Sequence, residues 1–318
     1  MQRIYLGAIL LFTSVSIIGA QVPKAAVGIS PIPVIPSNGD ISQFPKDYIF
    51  FDLHSGEYVV SYPTDFSNPE AERITKRFGV HSLTDPQITF HITANQNGSF
   101  QYVYQITNGP RGRQQVEQLT VMLPADDESA QVEAGTWTVN RTARKSRDTT
   151  SPLTPLVPVE VNTPAPQATT GAQRLALSID SQWLPGFAPM MFRGTTTGKE
   201  YTPAEATQLP SIIQDKMRAL FTPAFDGQTR TVLLPRFRRG GSQFEMTQNL
   251  LHGIDVLMVH GLVDRNSVYL TGARTVLKNF LLADGTAPIT PASFASLPQP
   301  KPGLESEIAT ALKADFAP

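Results

Sequence analysis

Hydrophobic and polar positions alternate over two neighbouring stretches of the chain. In Ser99–Asn108, Phe100, Tyr102, Tyr104 and Ile106 take one parity, while Gln101, Gln105 and Thr107 take the other. A period of two puts the two sets on opposite faces of a pleated strand, so this segment predicts a strand with one buried and one wet face. Ile88, Phe90 and Ile92 alternate in the same way with Thr89, His91 and Thr93. Asn97-Gly98 lies between the two stretches. That pair tolerates positive φ at both centres of a tight turn, which predicts an antiparallel hairpin.

Other strands follow by the same reasoning. Tyr48–Leu53 and Tyr58–Tyr62 are aromatic and β-branched and predict a second hairpin, with Gly56 taking positive φ in its turn. The polar stretch after Thr64 predicts a short helix over Glu70–Arg77. Leu119, Val121 and Leu123 alternate until Pro124 ends their strand, and Trp137 and Val139 share a face. Val157–Val161 predicts an edge strand, because Pro158 cannot donate to a ladder. Leu175, Leu177 and Ile179 alternate again, and Trp183–Arg193 completes the sheet. Strands at this short spacing predict an antiparallel sandwich.

From Tyr201 the period changes to 3.6. Thr202-Pro203-Ala204-Glu205 is a capping box with proline at the first helical position, and Ile212, Ile213, Met217, Leu220 and Phe221 continue on one helical face. Ser242-Gln243-Phe244-Glu245 opens a further helix with a stripe from Leu250 to Gly261. A short turn at Asp264–Ser267 leads to another stripe from Leu270 to Leu281, and Leu304, Ile308, Leu312 and Phe316 mark the last. The expected fold is α+β: an N-terminal antiparallel β-sandwich over residues 47–198, then a small C-terminal helical bundle over residues 199–318.

The run Tyr102-x-Tyr104-x-Ile106-Thr107-Asn108-Gly109 resembles the central strand and turn of immunoglobulin-like β-sandwich domains of bacterial secreted and surface proteins. The resemblance covers this run alone. It implies a spacer, an adhesive module or an assembly element.

Composition changes the picture at the N-terminus. Arg3 leads an apolar run from Ile4 to Ile18 that closes on small residues at Gly19-Ala20, the pattern of a secretory signal peptide over residues 1–20. Prolines 23, 31, 33, 36 and 45 then mark an extended arm over residues 21–46, and a second proline-rich loop lies near residues 148–170. There is no cysteine, which excludes disulfides, a thiol nucleophile and a zinc–thiolate site. An extracytoplasmic, bacterial chain is expected, with no membrane span after signal cleavage. A net charge of −1 removes the global field that would favour nucleic acid.

Few residues suggest chemistry. Asp52 and His54 share a strand face and supply two ligands of a candidate metal site that needs a third from elsewhere. His252 and Asp255 stand one helical turn apart, but His260 is roughly 80° further round, unlike the zinc hydrolase arrangement. Gly194–Lys199 falls one residue short of a phosphate loop. Asp126-Asp127-Glu128 reads as a solvated turn. No nucleophile elbow is present, no catalytic residue emerges, and no cofactor is expected. Arg236, Arg238 and Arg239 precede Gly240-Gly241 and a capped helix, and form a candidate site for an anionic ligand.

These features favour a non-enzymatic envelope or secreted protein whose partner is another envelope or extracellular protein. Two alternatives stay open. One is an extracellular hydrolase acting on a cell-wall or other polymer, and the other is a binder of anionic ligands through the arginines.

Overall fold

The computed structural model describes residues 32–35, 48–68, 70–128, 130–141, 156–163, 174–196, 198–220, 227–286 and 288–317. The expected signal peptide lies outside these residues, as do most of the proline-rich arm and much of the proline-rich loop. Helices combine with three antiparallel sheets. The chain forms two compact units, Met1–Leu83 with Thr196–Gly227, and Thr84–Thr195 with Gln228–Pro318. This division differs from the cut expected at residue 198, because two short helices join the N-terminal sheet and a late strand joins a sheet of the second unit.

In the first unit, β1 (Ile49–Asp52), β2 (Glu57–Pro63) and β3 (Arg73–Gly79) form a meander. The β1–β2 hairpin is as expected, with Gly56 at φ 72°. The helix expected over Glu70–Arg77 is instead mostly strand β3. Tyr62 pairs with Ile74 and Tyr58 with Phe78 across the ladder, and such pairing outweighs local propensity. The proline-rich arm touches the other edge. Phe51 N–H donates to the Pro33 carbonyl and Ile35 N–H donates to the Phe51 carbonyl, both at 3.0 Å. Pro33 thus sits where only an acceptor is required. Helices α1 (Pro203–Ala206) and α2 (Ser211–Leu220) follow, with Thr202 Oγ1 accepting from Glu205 N–H at 3.3 Å. Ile213, Met217 and Leu220 share a core with Phe51, Tyr58, Val60 and Phe78.

The second unit holds eight of its strands between Pro86 and Gly194. These are β4 (Pro86–Ala94), β5 (Phe100–Asn108), β6 (Val116–Pro124), β7 (Gln131–Glu133), β8 (Thr138–Arg141), β9 (Leu156–Asn162), β10 (Arg174–Ser181) and β11 (Leu184–Gly194). A last strand, β12 (Gln228–Phe237), follows later. One sheet has the order β4-β5-β10-β7 and the other β12-β11-β6-β9-β8. The alternation read in the sequence is the burial pattern: Phe100, Tyr102, Tyr104 and Ile106 are buried, as are Leu175, Leu177 and Ile179. The β4–β5 turn departs from expectation. Only Gly98 takes positive φ, at 82°, while Asn97 Oδ1 accepts from Ser99 N–H at 3.0 Å. Strand β9 also departs, since it lies between β6 and β8 rather than at an edge. Among the described residues, its pairing with β8 runs from Val159 to Asn162.

Helices α3 (Gln243–Val259), α4 (Val268–Leu282) and α5 (Leu304–Asp315) do not form a core of their own. Their apolar faces join one core with residues of both sheets. Each helix is apolar on one face only and needs another surface to bury it. Helix α3 packs on β11 and β12, and α5 on β4 and β11. Asn249 brackets Phe187, accepting from its N–H at 2.7 Å and donating to its carbonyl at 2.9 Å. Beside it, a Cβ on Gly253 would lie 1.9 Å from Phe187 Cδ2, so α3 needs glycine there to approach the sheet. At the end of α5, Asp315 is buried and neither carboxyl oxygen has a hydrogen-bond partner. Burial holds this carboxyl well above the usual carboxylate range.

Two outcomes are expected. Gly253→Ala would add about 1 kcal/mol of stability in an exposed helix. Here the new methyl must displace the Phe187 ring, so the variant should lose about 1–3 kcal/mol in denaturant unfolding. Asp315 has a folded pKa raised above its unfolded value of 3.8. Its contribution to stability is therefore present below the unfolded pKa and is lost as pH rises through the folded one. Asp315→Asn removes that loss, so the difference in unfolding free energy should move in the variant's favour as pH rises above the unfolded value of 3.8. A pH-independent difference would contradict this account of Asp315.

Candidate functional site

Four separate connections of the second unit converge on one groove of about 640 Å³. The tip of the β4–β5 hairpin brings Asn97 and Gly98, and the turn after β6 brings Asp126, Asp127 and Glu128. The β10–β11 turn brings Gln182 and Trp183, and the segment after β12 brings Arg238 and Arg239.

The base of the groove is fixed by core hydrogen bonds. Ser181 Oγ donates to Asp127 Oδ2 at 2.5 Å and accepts from Trp183 N–H at 2.9 Å. The Trp183 carbonyl accepts from Tyr102 OH at 2.8 Å. Ser181, Asp127, Tyr102 and Trp183 are all buried. Burial raises the Tyr102 phenol well above its ordinary range, with further upward pushes from Tyr104, Asp315 and Asp127. The phenol therefore stays protonated and keeps donating.

The rim is exposed and charged. The Arg238 guanidinium lies 5.2 Å from the centre of the Trp183 ring and pairs with Asp126. The Arg239 guanidinium lies 5.5 Å from the Phe100 ring centre, and its Nη2 donates to the Gly98 carbonyl at 2.8 Å. Both arginines leave the sheet where β12 ends, in a turn closed by Gly241 N–H donating to the Arg238 carbonyl at 3.1 Å.

Arg236 is not part of this rim. It lies within β12, and its Cβ would be 2.6 Å from a Cβ placed on Gly186. Its Nη1 is buried with no hydrogen-bond partner. Burial lowers the Arg236 pKa, with Glu245 acting in the opposite direction. The three arginines grouped in the sequence therefore serve two different places.

Asp52 and His54 sit at the β1–β2 turn of the first unit. Asp52 Oδ1 accepts from the backbone N–H of His54 at 2.9 Å and of Ser55 at 3.3 Å, and Oδ2 pairs with Arg77 at 2.8 Å. Burial pushes the Asp52 carboxyl up, but Arg77 and the two N–H groups outweigh it, so its pKa falls below the usual value. Arg77 also pairs with Glu57 at 3.1 Å. Asp255 pairs with Arg274 at 2.5 Å, and Lys199 with Glu205 at 2.6 Å. Among the described residues, no group of three or more His, Asp or Glu side chains is placed to hold a metal ion. None of their helices is long and apolar enough to cross a membrane.

The sequence marks Arg238 and Arg239 but does not mark Trp183, Ser181 or the buried member of the acidic turn. Asp126 and Glu128 are exposed as expected, whereas Asp127 is fully buried. Three consecutive acids carry no mark of which one turns inward. No protein-family model matches the chain, and no curated protein sequence matches it.

The base and the rim of the groove should respond differently to substitution. Ser181→Ala removes two hydrogen bonds within the core and should cost about 1–3 kcal/mol in chemical denaturation. Asp126→Asn breaks an exposed pair and should cost no more than about 1 kcal/mol. Equal costs would mean that the groove has no rigid base.

Proposed function

We propose that the protein is a non-enzymatic secreted or periplasmic protein, and that the loop end of its second unit recognises another envelope or extracellular protein. On this reading the two sheets of the second unit form a β-sandwich of the immunoglobulin-like kind, and the helices buttress it. The observation that carries the reading is the convergence of four connections on one groove with a rigid aromatic base and an exposed, charged rim. Loops carried on a rigid scaffold are where recognition concentrates.

The hydrolase reading has less support. A glycosidase needs two carboxylates flanking the scissile bond, about 5–10 Å apart. The groove's three acids come from consecutive residues of one turn, where Asp126 is engaged by Arg238 and Asp127 by Ser181. The anionic-ligand reading meets a similar difficulty, because Arg238 is already paired and Arg236 lies elsewhere.

Site-specific photocross-linking tests the proposal. A photoreactive residue at Asn97 or Gln182, both on the groove rim, should give a discrete adduct with an envelope protein in the source cells. The same residue at His252, exposed on α3, should not. Adducts of equal yield at all three positions, or none at the rim, would overturn the assignment.

A further inference from the structure

Arg238 is placed as a ligand would be. Its guanidinium covers the Trp183 ring at 5.2 Å and pairs with Asp126, yet its side chain is 60% exposed. An exposed cation–π contact and an exposed ion pair are both weak, so this arrangement can exchange. Trp183 is only 7% exposed beneath it, and its backbone is held by Ser181 and Tyr102. The aromatic floor is thus a fixed platform, and its cover is a movable cation.

Without Arg238, the groove would present the Trp183 face and the exposed carboxylates of Asp126 and Glu128 against one guanidinium, that of Arg239. Arg239 is itself turned onto Phe100 and the Gly98 carbonyl. An aromatic face beside acceptors suits a planar cation better than an anion, and a guanidinium better than an ammonium, because it can stack and hydrogen-bond at once.

We propose that the groove is a receptor site for an arginine side chain of a basic partner segment, and that Arg238 is its built-in competitor. This rests on the loop end being a recognition surface, and it adds the chemistry of the partner and a form of autoinhibition. A tethered group competes at an effective concentration in the millimolar range, so a single free arginine binds the intact protein poorly. A partner segment that also contacts the rim displaces Arg238.

The test uses the full chain with Trp137→Phe. This leaves Trp183 as the sole tryptophan of the two in the sequence. Capped arginine (N-acetyl-arginine amide), capped lysine and capped glutamine are titrated while Trp183 emission is read. In the Arg238→Gln background, capped arginine should bind about tenfold more tightly than in the parent, and capped lysine more weakly than capped arginine. Adding Asp126→Asn should abolish the gain. Unchanged circular dichroism and thermal transition in Arg238→Gln show that the platform is intact. Should that variant fail this check, Arg238→Lys is used, and capped arginine should then bind at least threefold more tightly than in the parent.

No saturable binding of capped arginine, equal binding of capped glutamine, or a gain that survives Asp126→Asn would each overturn the proposal. Such a failure is separable from failure of the recognition reading. Rim cross-links without arginine binding would keep the surface and reject a basic partner, whereas arginine binding without rim cross-links would keep the site and reject the protein partner.

Discussion

Two buried hydroxyls constrain where the sheets of the second unit stand. Tyr102 and Tyr104 are fully buried on the inner face of β5. A phenol in a core must find an acceptor or leave a costly unsatisfied group. Tyr104 OH donates to the Leu233 carbonyl of β12 at 2.6 Å, and so ties one sheet to a strand of the other. Tyr102 OH donates to the Trp183 carbonyl at 2.8 Å. Apolar side chains would hold the sheets together with little directional preference, whereas these bonds fix where the sheets stand. The groove inherits that precision, because the residue satisfied by Tyr102 is its aromatic floor.

How much of this was legible in the sequence follows from how each element is buried. Strands β4, β5 and β10 bury one face and leave the other wet, so their period of two was readable. Strand β12 buries Val232, Leu233, Leu234 and Pro235 in succession, which erases the alternation and left it unread. Strand β3 carries Lys76 and Arg77 in a polar stretch, and only its pairing with β2 makes it a strand. The helices were legible from stripes and caps, but a stripe does not say what covers it. The stripes alone therefore predict a bundle of their own. The arginines were legible as a cluster, but strand geometry sends Arg236 to one place and Arg238 and Arg239 to another.

The C-terminal helices complete the β-rich unit by covering it. Strand β4 is a sheet edge, and an edge exposes unpaired backbone groups that invite other strands. Glu307 of α5 answers this directly. One carboxylate oxygen accepts from Ile92 N–H and the other meets His91 Nδ1, both at 2.8 Å. The same helix packs on β11, so a single element blunts an edge and seals the core.

The groove's chemistry follows from a division of labour along a few residues. Around Trp183 every anchoring group is buried: Ser181, Asp127 and Tyr102 hold it through hydrogen bonds that water does not reach. Around Arg238 the groups are exposed, and they interact through a ring face and a surface ion pair. Hydrogen bonds in a low-dielectric core resist exchange, whereas contacts facing water exchange readily. A rigid floor lowers the ordering cost of binding, and an exchangeable cover sets which cations can compete for it. Because the floor is made by the fold and the cover by a turn, substitutions in the turn can retune the competition without unsettling the sheets. That separation is what a recognition surface requires of its scaffold.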